Sequence, residues 1–359
     1  GFGSSPIGVY IDVDIMNPSA HAAYLSQAGL TLPDRDYYLK DEEPYIHNRA
    51  ALRDYVETVL TLAGIDGAAA KARAIVALET RIAKAHWAVE ETRDVDATYN
   101  AMTLDQLQRF APGLDWAAFV EAGGLDRAPV IVIAEKSAFP KLTAIVRDTP
   151  LDVWKAYLAF HTIDQAAEYL PAAFDAAYFD FHLRELEGRT EQRERWKRAI
   201  ELVDTWIGEA LGAAYVARRF PPEARQQSRD LVENLKRALH QMVDEAVWLD
   251  DATKTAAHVK LDAMAVKIGY PDIWRDYSKL EIVRNDALGN VERAIAFEYA
   301  RKLAQLDQPI DRAEWQMTPQ TINAYNDFGR NEIVFPAGIL QPPYFDMAAD
   351  PAVNYGATG

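Results

Sequence analysis

The chain contains no cysteine. Disulfides, thiolate nucleophiles and cysteine metal ligands are therefore excluded. It also lacks an apolar run of about 18 residues, the minimum for a membrane-spanning helix. Histidine is scarce: His21, His47, His86, His161, His182, His240 and His258 are the full set. None is followed by Glu-x-x-His, and no two are three or four apart, so no helical pair is spaced to share a metal ion. They read as surface or satisfied core histidines. Basic residues are outnumbered, 38 Lys and Arg against 54 Asp and Glu, for a net charge of −16. Nucleic-acid binding needs a basic face, so nucleic acid is not an expected partner. Gly1-Phe2-Gly3 lacks the third glycine and the preceding strand of a dinucleotide fingerprint. There is no nucleophile elbow and no kinase signature. No signal peptide is visible at Gly1, and no initiator Met stands there. The N-terminus is expected to be cut or processed, so the missing leader carries no information on export.

What is present reads as soluble and globular. Of 359 residues, 49% are apolar and 26% charged, enough for two or more domains with a sizeable core. Ile7, Val9, Ile11, Val13 and Ile15 alternate with Gly8, Tyr10, Asp12 and Asp14, the period of a half-buried strand. Val130 to Ile133 is a second strand candidate. Most of the remainder to about residue 260 reads helical. Trp196, Ala199, Ile200, Val203, Ile207, Ala210, Leu211 and Ala214 form one helical stripe. Arg218 and Arg219 suit its C-terminus, and Pro221-Pro222 stop it. Leu231, Leu235, Leu239, Met242, Val243 and Ala246 repeat the pattern. Thr103-Leu104-Asp105-Gln106 is a capping box. After about residue 265 the texture changes. Lys267 to Pro271, Ile322 to Tyr325 and Glu332 to Phe335 are short strand candidates, punctuated by Gly329, Pro336, Gly338, Pro342 and Pro343.

Candidate chemistry is sparse. Glu90-Glu91 and Asp250-Asp251 are acid pairs that 54 acids supply by chance. Asp250 precedes a helical run and reads as an N-cap, not a general acid. His182 and Glu185 share a helix face that reads as solvated. Composition and periodicity alone describe a mostly helical protein without assigned chemistry.

Three collinear segments add a resemblance. Gly29-Leu30-Thr31-Leu32-Pro33-Asp34-Arg35-Asp36-Tyr37-Tyr38-Leu39 is one. Trp248-Leu249-Asp250-Asp251-Ala252-Thr253-Lys254, followed by Lys260-Leu261 and Lys267-Ile268-Gly269-Tyr270-Pro271, is another. Asn323-Ala324-Tyr325 followed by Asn331 to Pro343 is the most specific. Weaker similarity surrounds Arg195-Trp196-Lys197-Arg198. Together they resemble the neprilysin-type zinc metallopeptidases over essentially the whole chain. Animal members carry disulfides, so a cysteine-free chain resembles the bacterial branch. The last ten residues, Asp350 to Gly359, resemble the run just before the zinc-binding helix.

The resemblance implies a mainly α fold, with a large helical cap domain followed by the start of a thermolysin-like α+β catalytic domain. The expected boundaries are 1–250 for the cap, 251–295 for a connecting segment and 296–359 for the incomplete catalytic domain. It implies a zinc peptidase for short peptides, which enter a chamber between the domains. The His-Glu-x-x-His ligands, a downstream Glu ligand and the general base would lie beyond Gly359. The implied zinc therefore belongs to the complete enzyme, and this chain offers no catalytic and no metal-ligating residue. Its expected partners are peptides and the missing C-terminal catalytic half. The sequence leaves the compartment unknown, with the bacterial periplasm or the exterior favoured over the cytoplasm.

By the same resemblance, the Asn323 side chain and the Ala324 carbonyl hydrogen-bond the substrate backbone, and Tyr325 lines the pocket on the N-terminal side of the cut bond. Asn carries both a donor and an acceptor, matching a peptide unit. The family follows this motif with another aromatic and Asn-Pro; here Asn326-Asp327-Phe328-Gly329 stands instead, which alters the wall beside Tyr325. The acids around Arg35 are expected to form a structural ion-pair and hydrogen-bond network. Gly338 and its neighbouring prolines are expected to set the path of a structural stretch. An alternative reading is a stand-alone, non-catalytic helical cap that binds peptides or a partner. Against it, Ile333 to Leu340 would be left without cover, an aggregation hazard.

Overall fold

The computed structural model describes residues 2–128 and 130–358, so Gly1 of the Gly1-Phe2-Gly3 run and the terminal Gly359 lie outside the described residues. The fold is mainly helical, with two small sheets. The chain forms two compact units. One spans Gly1–Glu194 with Leu280–Pro309; the other spans Arg195–Lys279 with Ile310–Gly359. This division differs from the boundaries expected at 250 and 295. The helices from Arg195 to Asp262 gather with the late strands, and residues 280–309 return to the first unit.

In the first unit, strand β1 (Ile7–Asp14) buries Ile7, Ile11 and Val13 and exposes Tyr10, as its alternation predicts. It pairs antiparallel with β2 (Asn17–Gln27), from Ile7 opposite Gln27 to Val13 opposite His21. Ala22 to Leu25 of β2 are buried on both faces, so no alternation announced this strand. β3 (Asn100–Met102) and β4 (Ile131–Ile133) complete the order β1-β2-β4-β3, with β4 parallel to β2. All three residues of β4 are buried.

Helices α1 (Glu43–Leu62), α2 (Ala68–Ala85), α3 (Phe139–Asp148) and α4 (Leu151–Ala166) supply the core. Leu52, Val56 and Val59 of α1 and Ile75, Leu78 and Ile82 of α2 recur at helical spacing and are fully buried or nearly so. The expected capping box starts the helix Leu104–Phe110. Gln106 N donates to Thr103 Oγ1 at 3.3 Å, and Thr103 N donates to Gln106 Oε1 at 2.8 Å. The returning helix Ala287–Gln305 packs Leu303 onto this core and donates Tyr299 Oη to the Gly123 carbonyl at 2.6 Å.

The second unit holds α5 (Arg195–Arg219), α6 (Pro222–Glu245), α7 (Asp251–Asp262) and α8 (Pro351–Thr358). Pro222 does more than stop α5: it occupies the first turn of α6, where its missing N–H is no loss. Asp250 caps α7, accepting from Thr253 N at 2.7 Å, as expected. The apolar stripe of α5 is exposed over Trp196, Ile200 and Val203, and that of α6 over Leu235, Leu239 and Met242.

Strands β5 (Ala265–Gly269), β6 (Tyr325–Asp327) and β7 (Glu332–Pro336) form a sheet in the order β5-β7-β6. Ile268, Ala337, Leu340 and Phe345 pack with Phe220, Ala224, Leu231 and Val232. The run Ile333 to Leu340 is therefore covered, correcting the expectation that it would be bare: α6 and the end of α5 supply its cover.

Candidate functional site

Sheet order places β6 at an edge, with β7 antiparallel on its inner side, Tyr325 opposite Val334 and Asp327 opposite Glu332. The strand expected at Ile322 to Tyr325 begins only at Tyr325. Continuing the register would set Asn323 opposite Pro336, which has no N–H to give, so the ladder stops short. Asn323 is thus exposed and outside the ladder, just ahead of an edge strand. Its Oδ1 accepts from Ala324 N at 2.8 Å. That uses the acceptor side of the amide; a substrate carbonyl would call on the donor side.

Tyr325 is half-buried, and burial pushes its phenol up to about 12. Its oxygen accepts from Gln316 N at 3.0 Å, which pins the ring. Behind it lies a charged network that sequence reasoning missed. Arg330, 3% exposed, donates its Nη1 to Asp327 Oδ2 at 2.7 Å and its backbone N–H to Asp327 Oδ1 at 2.9 Å. Gln316 Nε2 donates to the same Asp327 Oδ2 at 2.8 Å. Burial alone would raise the Asp327 carboxyl; the Arg330 backbone N–H and guanidinium outweigh it and hold the group below its usual range. Lys267 Nζ pairs with the buried Glu332 carboxylate at 2.7 Å and donates to the Glu314 carbonyl at 2.8 Å. Arg330 thus braces the β6–β7 turn through its backbone N–H and one guanidinium nitrogen, while Lys267 ties β5 to β7.

The Gly29–Leu39 signature forms the expected structural network, but its centre is Glu79 and not an Arg35 ion pair. Fully buried, Glu79 accepts from Tyr38 Oη, Thr31 Oγ1 (2.8 Å), Thr31 N (3.2 Å) and His161 Nε2 (2.9 Å). Arg35 instead donates to the His86 carbonyl at 2.7 Å, and Asp36 pairs with Lys40 at 2.8 Å. The expected solvated face at His182 and Glu185 holds for Glu185, which is exposed, but not for His182, which is half-buried. That segment is a π-helix, Phe179–Leu186, in which His182 meets Asp164 at 2.8 Å and Glu185 meets His47 at 2.6 Å.

His240 and His258 stack, each with an aspartate at its Nε2. Among the described residues no group of three or more His, Asp or Glu is arranged to hold a metal ion. These residues do not fit the zinc that the resemblance implies. No helix among them is long and apolar enough to cross a membrane.

Comparison with known proteins agrees with the motifs. Two models described as Peptidase family M13 match, one over residues 1–271 and one over residues 323–359. Endothelin-converting enzyme-like 1 of Rattus norvegicus is 31% identical over 361 residues, covering 97% of this chain and 46% of the relative. An endothelin-converting enzyme homolog of Locusta migratoria is 30% identical, covering 96% of this chain and 50% of the relative. The chain spans about half the length of these curated relatives. Among solved structures, the Mycobacterium tuberculosis zinc metalloprotease Zmp1 in complex with an inhibitor superposes with a TM-score of 0.93 at 40% identity, covering 99% of this chain and 54% of that one. PepO from Lactobacillus rhamnosis HN001 gives 0.89 at 26% identity, covering 99% and 57%. With family models matched over most of its length, the chain belongs to peptidase family M13, the neprilysin-type metallopeptidases.

Proposed function

We propose that the chain is a segment of a zinc metallopeptidase that hydrolyses short peptides inside a chamber, before hydrophobic residues, with Asn323 and Ala324 aligning the substrate backbone. The observation that carries this reading is the exposed Asn323 and half-buried Ala324 running into the edge strand β6. A peptide laid along that edge adds as a strand. Main-chain hydrogen bonds then give affinity without demanding a sequence, which suits an enzyme for varied peptides. Tyr325, held through its oxygen by Gln316 N, offers its ring as a pocket wall. The zinc ligands and the general base come from outside these 359 residues, so this chain alone binds no zinc and cleaves nothing. Stoichiometric zinc in a sample verified at 359 residues would refute that part.

The alignment role is tested in the complete enzyme. Asn323→Ala should lower kcat/KM on a short quenched peptide by roughly 1–3 kcal/mol, or about 5- to 150-fold, the scale of a lost buried hydrogen bond. Unchanged kcat/KM would remove Asn323 from the site.

A further inference from the structure

Just ahead of the Asn323-Ala324 pair, the chain is gripped by α5 at a break in that helix. Ile207 leaves the helical conformation, with φ −133° and ψ 39°. Breaks of this kind are where polar side chains enter a helix ladder. The polar group beside this break is the Gln320 amide. Its Nε2 donates to the Gly208 carbonyl at 2.9 Å and also to Asp204 Oδ1. Two acceptors, one of them anionic, identify the amide's nitrogen end. The Thr318 hydroxyl reaches the same Asp204 oxygen at 3.3 Å.

The loop lies where α5 has no side chains. A Cβ on Gly208 would stand 2.5 Å from Thr318 Cγ2, and one on Gly212 would stand 2.7 Å from Pro319 Cδ and 2.8 Å from Gln320 Oε1. The turn after β7 holds the loop as well. Gly338 N donates to the Pro319 carbonyl at 2.7 Å, and a Cβ there would stand 2.5 Å from the Gln320 carbonyl oxygen. Thr321 N closes onto the Thr318 carbonyl at 3.0 Å. Residues 318–321 are thus fixed at both backbone and side chain, and the chain emerges from them directly into Ile322, Asn323 and Ala324.

We propose that Gln320 is a positioning residue: its amide, keyed into the α5 break and Asp204, sets where Asn323 and Ala324 meet the substrate backbone. This rests on the reading of Asn323 and Ala324 as the substrate-aligning pair. A charge-assisted bond to the Asp204 carboxylate makes the key stronger than a neutral contact. Asp204→Asn keeps an acceptor and so retains the position; Asp204→Ala does not.

The test uses the complete enzyme and one short quenched peptide, with Gln320→Ala, Asn323→Ala and the double variant. Gln320→Ala should lower kcat/KM about tenfold, as expected for one misplaced hydrogen bond. The double variant should be no worse than Asn323→Ala alone, because Gln320 acts through Asn323. Asp204→Asn should stay within about twofold of the parent. If the Gln320 loss multiplies in full onto the Asn323 loss, Gln320 is merely structural and the proposal is overturned. If Gln320→Ala is silent while Asn323→Ala is impaired, the proposal fails and the Asn323 reading stands. If Asn323→Ala is itself silent, that reading fails and takes this one with it. Should Gln320→Ala not fold, Gln320→Met fills the same space without the amide and carries the same expectations.

Discussion

Acidification should weaken the first unit through His86, well before the carboxylates titrate. This imidazole follows α2 and is 7% exposed, and its Nε2 is buried with no hydrogen-bond partner among the described residues. Burial pushes it down to about 4 from 6.5; the Arg35 charge adds to the fall, and a hydrogen bond with the Ala28 backbone partly opposes it. The folded pKa lies below the unfolded one. Between these values the unfolded chain binds more protons, so stability is complete above about 6.5 and is lost as pH falls toward 4. The full effect of this shift is roughly 3 kcal/mol, of which about 2 should be lost between about pH 7.5 and about pH 5. The assay is urea unfolding at several pH values, comparing the parent with His86→Asn, which cannot titrate. The variant will differ in absolute stability; the informative quantity is its slope with pH. The parent should lose about 2 kcal/mol more than the variant over that window. Parallel losses in the two proteins would refute the argument that a buried neutral imidazole sits beside Arg35.

Two further perturbations test the packing. Glu79→Ala strips Tyr38, Thr31 and His161 of their shared buried acceptor; it should destabilise by roughly 3–5 kcal/mol in urea unfolding, and a loss under about 1 kcal/mol would contradict the network. Gly338→Ala drives a Cβ onto backbone oxygens of Gln320 and Thr321, at 2.5 and 2.7 Å. Because backbone cannot swing aside, we expect a loss of about 1–3 kcal/mol, read as a lower thermal midpoint; an unchanged midpoint would mean the loop is not clamped there.

Features written in neighbouring residues were legible in advance. The Thr103–Gln106 box, the Asp250 cap and the alternation of β1 each need only a few adjacent positions, and all are present. β2 was not legible: it is buried on both faces over Ala22 to Leu25, and such a strand loses its period of two. β6 starts only at Tyr325 although Ile322 is β-prone, because Asn323 and Ala324 are poor strand formers and the register would set Asn323 opposite Pro336, which cannot continue the ladder. The α6 stripe lies along one helix, but the α5 stripe is interrupted at Ile207, a break that periodicity does not show, and periodicity does not say what covers either stripe. The Glu79 network joins residues 31, 38, 79 and 161, and no local pattern links positions so far apart. At the candidate edge, resemblance pointed to Asn323, Ala324 and Tyr325. The Asp327–Arg330 pair that braces them lies where the chain departs from the family pattern, so resemblance could not supply it.

The first unit is discontinuous: the chain leaves it at Glu194 and returns at Leu280, bringing the helix Ala287–Gln305 whose Leu303 joins the core. This has a consequence during synthesis. When Glu194 has left the ribosome, the unit still lacks a piece that will not be translated until Gln305, another 111 residues later (305 − 194). At about 5–20 residues per second, the surface awaiting Leu303 and Tyr299 stays open for roughly 6 to 20 seconds. During that interval the nascent chain exposes apolar surface that the finished protein hides, so the demand for chaperone protection falls in the middle of translation and not at its end.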